Sequence, residues 1–203
     1  MLVIYENVLG EQFKTLHPAL QKRYSIKPGQ SFRASGVMDE IKGGPFWLYP
    51  LFYFGVSFKL FFPEHGKQVP FTILNKAKTG SNGEMQIHWE RAFYFPKKTR
   101  YFNALMSESS SQNIIKDYLG EPSVFYSDLS FQIESSNTLT ITSKKQRLLL
   151  GKLEIPLPRL FQGLATVKET YHEDSDSFTI SVSVRNPLIG TVFSYKGAFK
   201  EDA

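Results

Sequence analysis

Alternation of apolar and polar residues dominates the chain after residue 66 and predicts antiparallel β-strands. Such strands place every second side chain on one face, as Met85, Ile87 and Trp89 illustrate. Gly, Asn, Ser and Pro separate the alternating stretches and predict turns between them. With a weaker strand over 32–38, the pattern predicts about nine strands. A sheet of this size tends to curl or close, because strand twist accumulates and open edges invite association.

Four stretches depart from the strand pattern. From Leu2 to Arg23, apolar residues recur at spacings of three to five, which favours one helix or two short ones interrupted near Gly10 and Pro18. The serine-rich stretch 107–112 is predicted to be a loop. Residues 153–160 contain two prolines and are predicted to be irregular or a single helical turn.

The fourth stretch is an aromatic segment, residues 46–62, in which nine of 17 residues are aromatic. So much apolar surface must be covered by the rest of the protein, by a partner or by a membrane. Pro50 suits the first turn of a helix and Pro63 would end it, so we predict a largely buried helix that fills or covers the concave face of the sheet. Pro50, Gly55 and Lys59 argue against a membrane-spanning helix.

Composition favours one domain spanning residues 1–203. The chain is 41% hydrophobic and contains neither a linker nor a repeat. Its net charge of +5 is mild, and its basic clusters are short runs at turns and strand ends. The chain has no cysteine, which excludes disulfides and thiolate chemistry. Its N-terminus lacks the pattern of a secretory signal, so we expect a cytoplasmic protein.

Motifs for phosphate, dinucleotide, zinc or calcium binding are absent from the sequence, as is a hydrolase nucleophile motif. We therefore predict no cofactor, no metal and no catalytic residue. His88 and Glu90 fit the solvated face of their strand. Nucleic-acid binding is not expected, because the aromatic rings fall on the apolar face while the basic clusters fall at turns.

Arg91 breaks the alternation of its strand, because it shares the apolar side with Trp89 and Phe93. A buried guanidinium needs a carboxylate, backbone carbonyls or an anionic ligand. Glu169 is the matching anomaly, on the face shared by Val167. Three interpretations stay open: a structural Arg91–Glu169 ion pair, an anchor at Arg91 for the acidic head of an amphipathic ligand, or a bulge that turns Arg91 outwards.

The order of several short motifs resembles an uncharacterised bacterial family, domain of unknown function 4166. These motifs are Leu9-Gly10-Glu11, Trp89-x-Arg91-x-Phe93, Leu157-Pro158 and Asn186-Pro187-Leu188-Ile189-Gly190 followed by Tyr195. The chain departs from the family pattern at Tyr24-Ser25, where a His is expected, and at Asp117, where a Glu is expected before Gly120. A function that needed the His would be impaired here. The resemblance implies a single domain with Arg91 at a notable position and no established activity.

Together these patterns predict an α+β, mainly antiparallel β domain with a curved or barrel-like sheet that holds the aromatic segment. The favoured function is a non-enzymatic binding module for an apolar or amphipathic small molecule. The alternative is a peripheral domain that presents the aromatic segment to a membrane surface, a protein partner or a second copy in a homodimer. An enzyme of a type that its motifs do not reveal is a third hypothesis. The candidate ligand-binding residues are Arg91, Glu169, Trp89, Phe54, Phe58 and Tyr195.

Overall fold

The computed structural model describes residues 3–109, 114–151 and 153–202, and most of them lie in one antiparallel sheet of twelve strands. The strands are β1 Ser31–Lys42, β2 Gly66–Thr79, β3 Met85–Phe95, β4 Lys98–Tyr101, β5 Ala104–Ser109, β6 Ile114–Leu119, β7 Phe125–Ser135, β8 Thr138–Leu150, β9 Leu153–Pro156, β10 Leu164–His172, β11 Ser177–Asn186 and β12 Gly190–Glu201. The predicted fold class is confirmed, and the predicted number of about nine strands is close.

Ten strands form a closed barrel in the order β10-β11-β12-β1-β2-β3-β5-β6-β7-β8. The barrel closes where β10 pairs with β8, from Thr166 opposite Thr142 to Thr170 opposite Thr138. The remaining two strands extend its rim, since β4 pairs with β3 and β9 pairs with β8. Closure gives each of the ten barrel strands a neighbour on both sides and so removes the open edges that a curled sheet would keep.

The alternation of side chains explains how the barrel fills. In β3, Met85, Ile87, Trp89, Arg91 and Phe93 are buried and the residues between them are more exposed. The inward side chains of the other barrel strands meet them in one hydrophobic core. The period of two therefore sets which residues face the interior.

Three short helical elements close one end of the barrel. Helix α1 spans Ile4–Leu9, a 3₁₀ turn spans Gly10–Thr15, and helix α2 spans Pro18–Tyr24. The predicted interruptions near Gly10 and Pro18 are confirmed. His17 attaches this segment to the barrel, because its backbone NH donates to the Ser136 carbonyl at 2.7 Å and its ring stacks on Tyr171 at 4.5 Å.

The aromatic segment divides into an outer and an inner half. A 3₁₀ turn, Phe46–Leu48, leads into helix α3, Tyr49–Val56, which ends well before Phe62 because Lys59 takes a positive φ of 50°. The prediction of a largely buried helix is wrong, since Phe46 is 79% exposed and Phe54 is 62% exposed. Residues 58–62 turn inwards instead, and Phe62 is fully buried.

Two irregular stretches also differ from expectation. The predicted loop 107–112 begins later, because β5 continues through Ser109, and residues 110–112 lie outside the described part of the chain. Over 153–160 the structure has the short strand β9 and then a 3₁₀ turn, Arg159–Phe161.

Because neighbouring strands are antiparallel, the connections leave the barrel alternately at two ends. The connections β1–β2, β3–β5, β6–β7, β8–β10 and β11–β12 emerge together at the end that carries α3, which we call the aromatic end. The opposite end carries α1 and α2, and we call it the helical end. In the described part of the chain, no helix is both long and apolar enough to span a lipid bilayer.

Candidate functional site: a small cavity inside the barrel

A cavity of about 40 Å³ lies inside the barrel, between its middle and the inner half of the aromatic segment. Aliphatic side chains of β7, β8, β10 and β11 form one wall, among them Leu129, Ile141, Val167 and Val182. The rings of Phe61, Trp89 and Phe102 form the facing wall. Since a water molecule needs about 10–15 Å³ by this measure, the space is that of roughly three waters.

Arg91 enters this cavity and is held by the hairpin beside it. Its Nε donates to the Phe102 carbonyl at 2.8 Å, and its Nη1 donates to the Tyr195 hydroxyl at 3.1 Å. The guanidinium carbon lies 4.3 Å from the centre of the Phe102 ring. Burial with only neutral partners leaves the Arg91 charge available to a further group inside the cavity.

Asp117 also lines the cavity, on the same face of β6 as Ile115 and Leu119. Its Oδ1 is buried and has no hydrogen-bond partner among the described residues. In the described chain, no guanidinium nitrogen of Arg91 forms an ion pair within 4.0 Å with a carboxylate oxygen of Asp117. Burial raises the pKa of Asp117 to about 6, and the nearby positive charge of Arg91 only partly opposes this rise. The cavity thus holds a cation and a titratable acid that are not in contact with each other.

The barrel wall beside the cavity is closed partly by side chains. Backbone pairing of β8 with β10 stops at Thr166, and towards the aromatic end Gln146 takes over. Its Nε2 donates to the Gly163 carbonyl at 2.9 Å, and its Oε1 accepts from the Gly163 NH at 2.8 Å. Next to it, the Ser143 hydroxyl accepts from the Ala165 NH at 2.7 Å. We call this stretch the seam; Ser143, Gly163 and Ala165 also line the cavity.

A second polar cluster lies inside the barrel, between the cavity and the helical end. Arg23 of α2 and Glu169 of β10 form a buried ion pair, in which Arg23 Nε donates to Glu169 Oε1 and Nη2 donates to Oε2 at 3.0 Å. Aromatic rings surround the guanidinium, the nearest being Phe32 at 4.6 Å. The Trp89 indole NH donates to the Tyr5 hydroxyl at 3.2 Å between this cluster and the cavity. Arg23 therefore anchors the N-terminal helices to the barrel interior.

The predicted site residues divide between these places. Arg91 and Trp89 line the cavity, and Tyr195 is buried behind it as an acceptor for Arg91. The predicted Arg91–Glu169 pair is wrong, because Glu169 pairs with Arg23 below the cavity. The predicted bulge that turns Arg91 outwards is also wrong, since Arg91 is buried. Phe54 faces outwards and packs on the half-buried Phe58 at 4.9 Å, so neither ring lines the cavity.

Sequence reasoning missed Arg23 and Asp117, although each carries a pattern that could have revealed it. Arg23 follows Leu16 and Leu20 at helical spacing and so shares their buried face. Asp117 alternates with Ile115 and Leu119, in the same way that Arg91 alternates with Trp89 and Phe93. Among the residues that the structure describes, no group of three His, Asp or Glu side chains is placed to hold a metal ion.

A closed antiparallel barrel with a small, mainly apolar cavity that Arg91 and Asp117 also line is thus the architecture of this protein. The chain belongs to the family described as Domain of unknown function (DUF4166), whose model matches residues 16–199. It is also 42% identical to the uncharacterized protein YndH of Bacillus subtilis (strain 168), over 202 residues that cover 100% of this chain and 98% of that protein. The family model matches α2 and nearly the whole barrel, the relative matches the whole chain, and neither assigns an activity.

Proposed function

We propose that this protein is a non-enzymatic binding module whose barrel holds the polar head of a small amphipathic molecule. The observation that carries the proposal is the placement of Arg91 and Asp117, which line one apolar cavity without contacting each other. A buried guanidinium with only neutral partners and a buried carboxylate oxygen with no partner in the described chain are both costly, so a site that keeps them is suited to a ligand that satisfies both.

The two charges define the head group. Arg91 can only donate hydrogen bonds, whereas an ionised Asp117 can only accept them. Their charges offset each other, so a neutral head that both accepts and donates, such as a hydroxyl or a primary amide, fits better than a carboxylate or an amine. A cavity of about 40 Å³ accommodates such a head and not a whole drug-sized molecule, which needs about 300–1,000 Å³.

The seam provides the route for the apolar tail. At the seam the strands β8 and β10 are joined by the side chains of Gln146 and Ser143, and side-chain bonds can be exchanged without unpairing a whole strand. Beyond it lie the exposed apolar residues Leu153, Ile155 and Phe161. A tail that leaves the cavity through the seam would cover this surface.

Tryptophan fluorescence provides a direct test, because the chain has two tryptophans in different places. Trp89 lines the cavity, while Trp47 is 52% exposed near α3. In a Trp47→Phe protein, the emission of Trp89 should therefore report on the cavity alone. We expect 1-decanol and decanamide to change this emission saturably, and decanoate and decylamine to bind at least tenfold more weakly at pH 8.

Two substitutions in the Trp47→Phe protein locate the bound head. Arg91→Met removes a charged donor and should weaken decanol binding by about tenfold or more. Arg100→Met is the matched control, since Arg100 pairs with Glu64 at 2.6 Å outside the cavity and should leave binding unchanged. Thermal unfolding of both variants checks that they fold. Absence of binding by all four probes, or equal binding by the two variants, would refute the proposal.

A further inference from the structure

The aromatic end of the barrel concentrates the exposed apolar surface of the molecule. With the exception of Val37, the large apolar side chains that are exposed in the described chain lie on or beside the connections of this end. The most exposed of them are Phe46, Leu51, Phe54, Leu153, Phe161 and Leu188. Asn186 fixes two of these connections together, because its Nδ2 donates to the carbonyls of Leu160 and Gln162 at 2.8 and 2.7 Å.

The helical end shows the opposite distribution. Its apolar residues, including Ile4, Phe13 and Leu20, are buried beneath α1, α2 and the turn between them. No side chain of that end is among the exposed large apolar residues of the described ranges. The asymmetry therefore reflects a missing cover at one end, since the same fold covers the other end with its own helices.

The net charge also differs between the two ends of the barrel. At the aromatic end, the described connections carry five cations and three anions, a net charge of +2. They are Lys59, Lys97, Lys98, Arg100 and Arg159 against Glu64, Glu121 and Glu154. At the helical end, the N-terminal segment 3–30 and the described connections carry four cations and six anions, a net charge of −2. They are Lys14, Lys22, Arg23 and Lys27 against Glu6, Glu11, Glu84, Glu173, Asp174 and Asp176.

We infer that the aromatic end docks onto a membrane surface that contains anionic lipids. Trp47 and Tyr53 belong to the residue types that prefer the bilayer interface, and the positive end is complementary to anionic head groups. The apolar side chains stand on four separate connections, an arrangement that a fluid lipid interface can accommodate. A second copy of the chain is disfavoured as the cover, because it would bring two positive ends together. This inference does not require a ligand at Arg91 and Asp117, although the docking surface includes Leu153, Ile155 and Phe161, which the tail of the proposed ligand would cover.

Vesicle sedimentation with the full chain tests the inference. We expect binding to phosphatidylcholine vesicles that contain 30% phosphatidylglycerol, weaker binding to phosphatidylcholine alone, and a further decrease at high salt as the charges are screened. Phe54→Ser and Phe161→Ser should each reduce partitioning by about tenfold, given the apolar area they remove. Val37→Ser is the matched control, because Val37 is exposed on β1 away from this end, and it should have no effect.

Trp47 supplies a second readout. In a Trp89→Phe protein, Trp47 is the remaining tryptophan, and its emission should shift to the blue when anionic vesicles are added. Lys97→Glu combined with Arg159→Glu should weaken this response, whereas Lys14→Glu at the helical end should not. Failure to bind either vesicle composition would overturn the inference. So would a stable dimer in light scattering that Phe54→Ser dissociates, because a second copy would then be the cover.

Discussion

Replacing Arg23 with methionine should lower the free energy of unfolding by about 3–5 kcal/mol, because it leaves the Glu169 carboxylate buried without its partner. Both side chains of the pair are almost completely inaccessible, at 0% and 1% exposure. A protein domain is typically stable by about 5–15 kcal/mol, so this loss is a large share of the total. Lys22→Met is the matched control, since the neighbouring Lys22–Glu201 pair is exposed and should contribute less than about 1 kcal/mol.

The double variant Arg23→Met, Glu169→Leu should recover most of that loss. The native pair is incompletely satisfied, since Arg23 Nη1 is buried without a hydrogen-bond partner in the described chain, and an apolar replacement among the surrounding rings removes this cost. Urea unfolding of the two single variants, the double variant and the control measures all four values. A loss below about 1 kcal/mol for Arg23→Met, or a double variant no more stable than the single one, would refute the reasoning.

The loss of stability in Arg23→Met should also depend on pH. Burial raises the pKa of Glu169 above its ordinary value although Arg23 opposes the shift, and removing Arg23 raises this pKa further. In Arg23→Met the folded state therefore keeps a proton on Glu169 that the unfolded state releases. The loss of stability should be smallest near pH 4 and grow as the pH rises towards the folded pKa, by at most about 1.4 kcal/mol per pH unit. Adding Glu169→Gln should abolish this trend.

Three further substitutions address the cavity, the aromatic segment and the seam. The pKa of Asp117 in the folded state, about 6, lies above its ordinary value. The contribution of Asp117 to stability should therefore fall as the pH rises from about 4 to 6, by at most about 3 kcal/mol. Urea unfolding across this range should show the fall in the wild type and a flatter profile in Asp117→Asn. Phe62→Ala should cost about 3–5 kcal/mol because the ring is fully buried, whereas the exposed Phe54→Ala should cost less than about 1 kcal/mol, and equal costs in urea unfolding would contradict this division of the segment. Gln146→Leu should cost about 1–3 kcal/mol and speed hydrogen exchange at the Gly163 amide, since that amide loses its acceptor; unchanged exchange would show that the seam does not depend on Gln146.

The strands were predictable because the barrel has one buried face, so the period of two in the sequence maps directly onto the interior. Closure of the barrel could not be predicted from this pattern. The strand β9 intervenes between β8 and β10, and the pairing of Thr142 with Thr166 has no local signature. The burial of the aromatic segment was also overestimated, because composition alone does not distinguish the inward Phe62 from the outward Phe54.

The candidate site was predictable where a charged residue interrupts an apolar alternation. Arg91 was found in this way, and Asp117 could have been found by the same test. The partner of Glu169 could not be assigned from strand patterns, because it comes from a helix 146 residues earlier in the chain. The predicted pair joined Arg91 and Glu169, which both interrupt apolar patterns on strands. Arg23 lies on a helix instead, where its spacing from Leu20 places it on the buried face.

The separation of Arg23 from Glu169 also bears on how the chain is made. At about 5–20 residues per second, a ribosome needs roughly 7–30 s to travel from one partner to the other. During that time the N-terminal helices have no buried carboxylate against which to dock. Residue 169 lies in β10, the strand that closes the barrel on β8. Docking of the first helices and closure of the barrel therefore fall at the same late stage of synthesis, when most of the chain has left the ribosome.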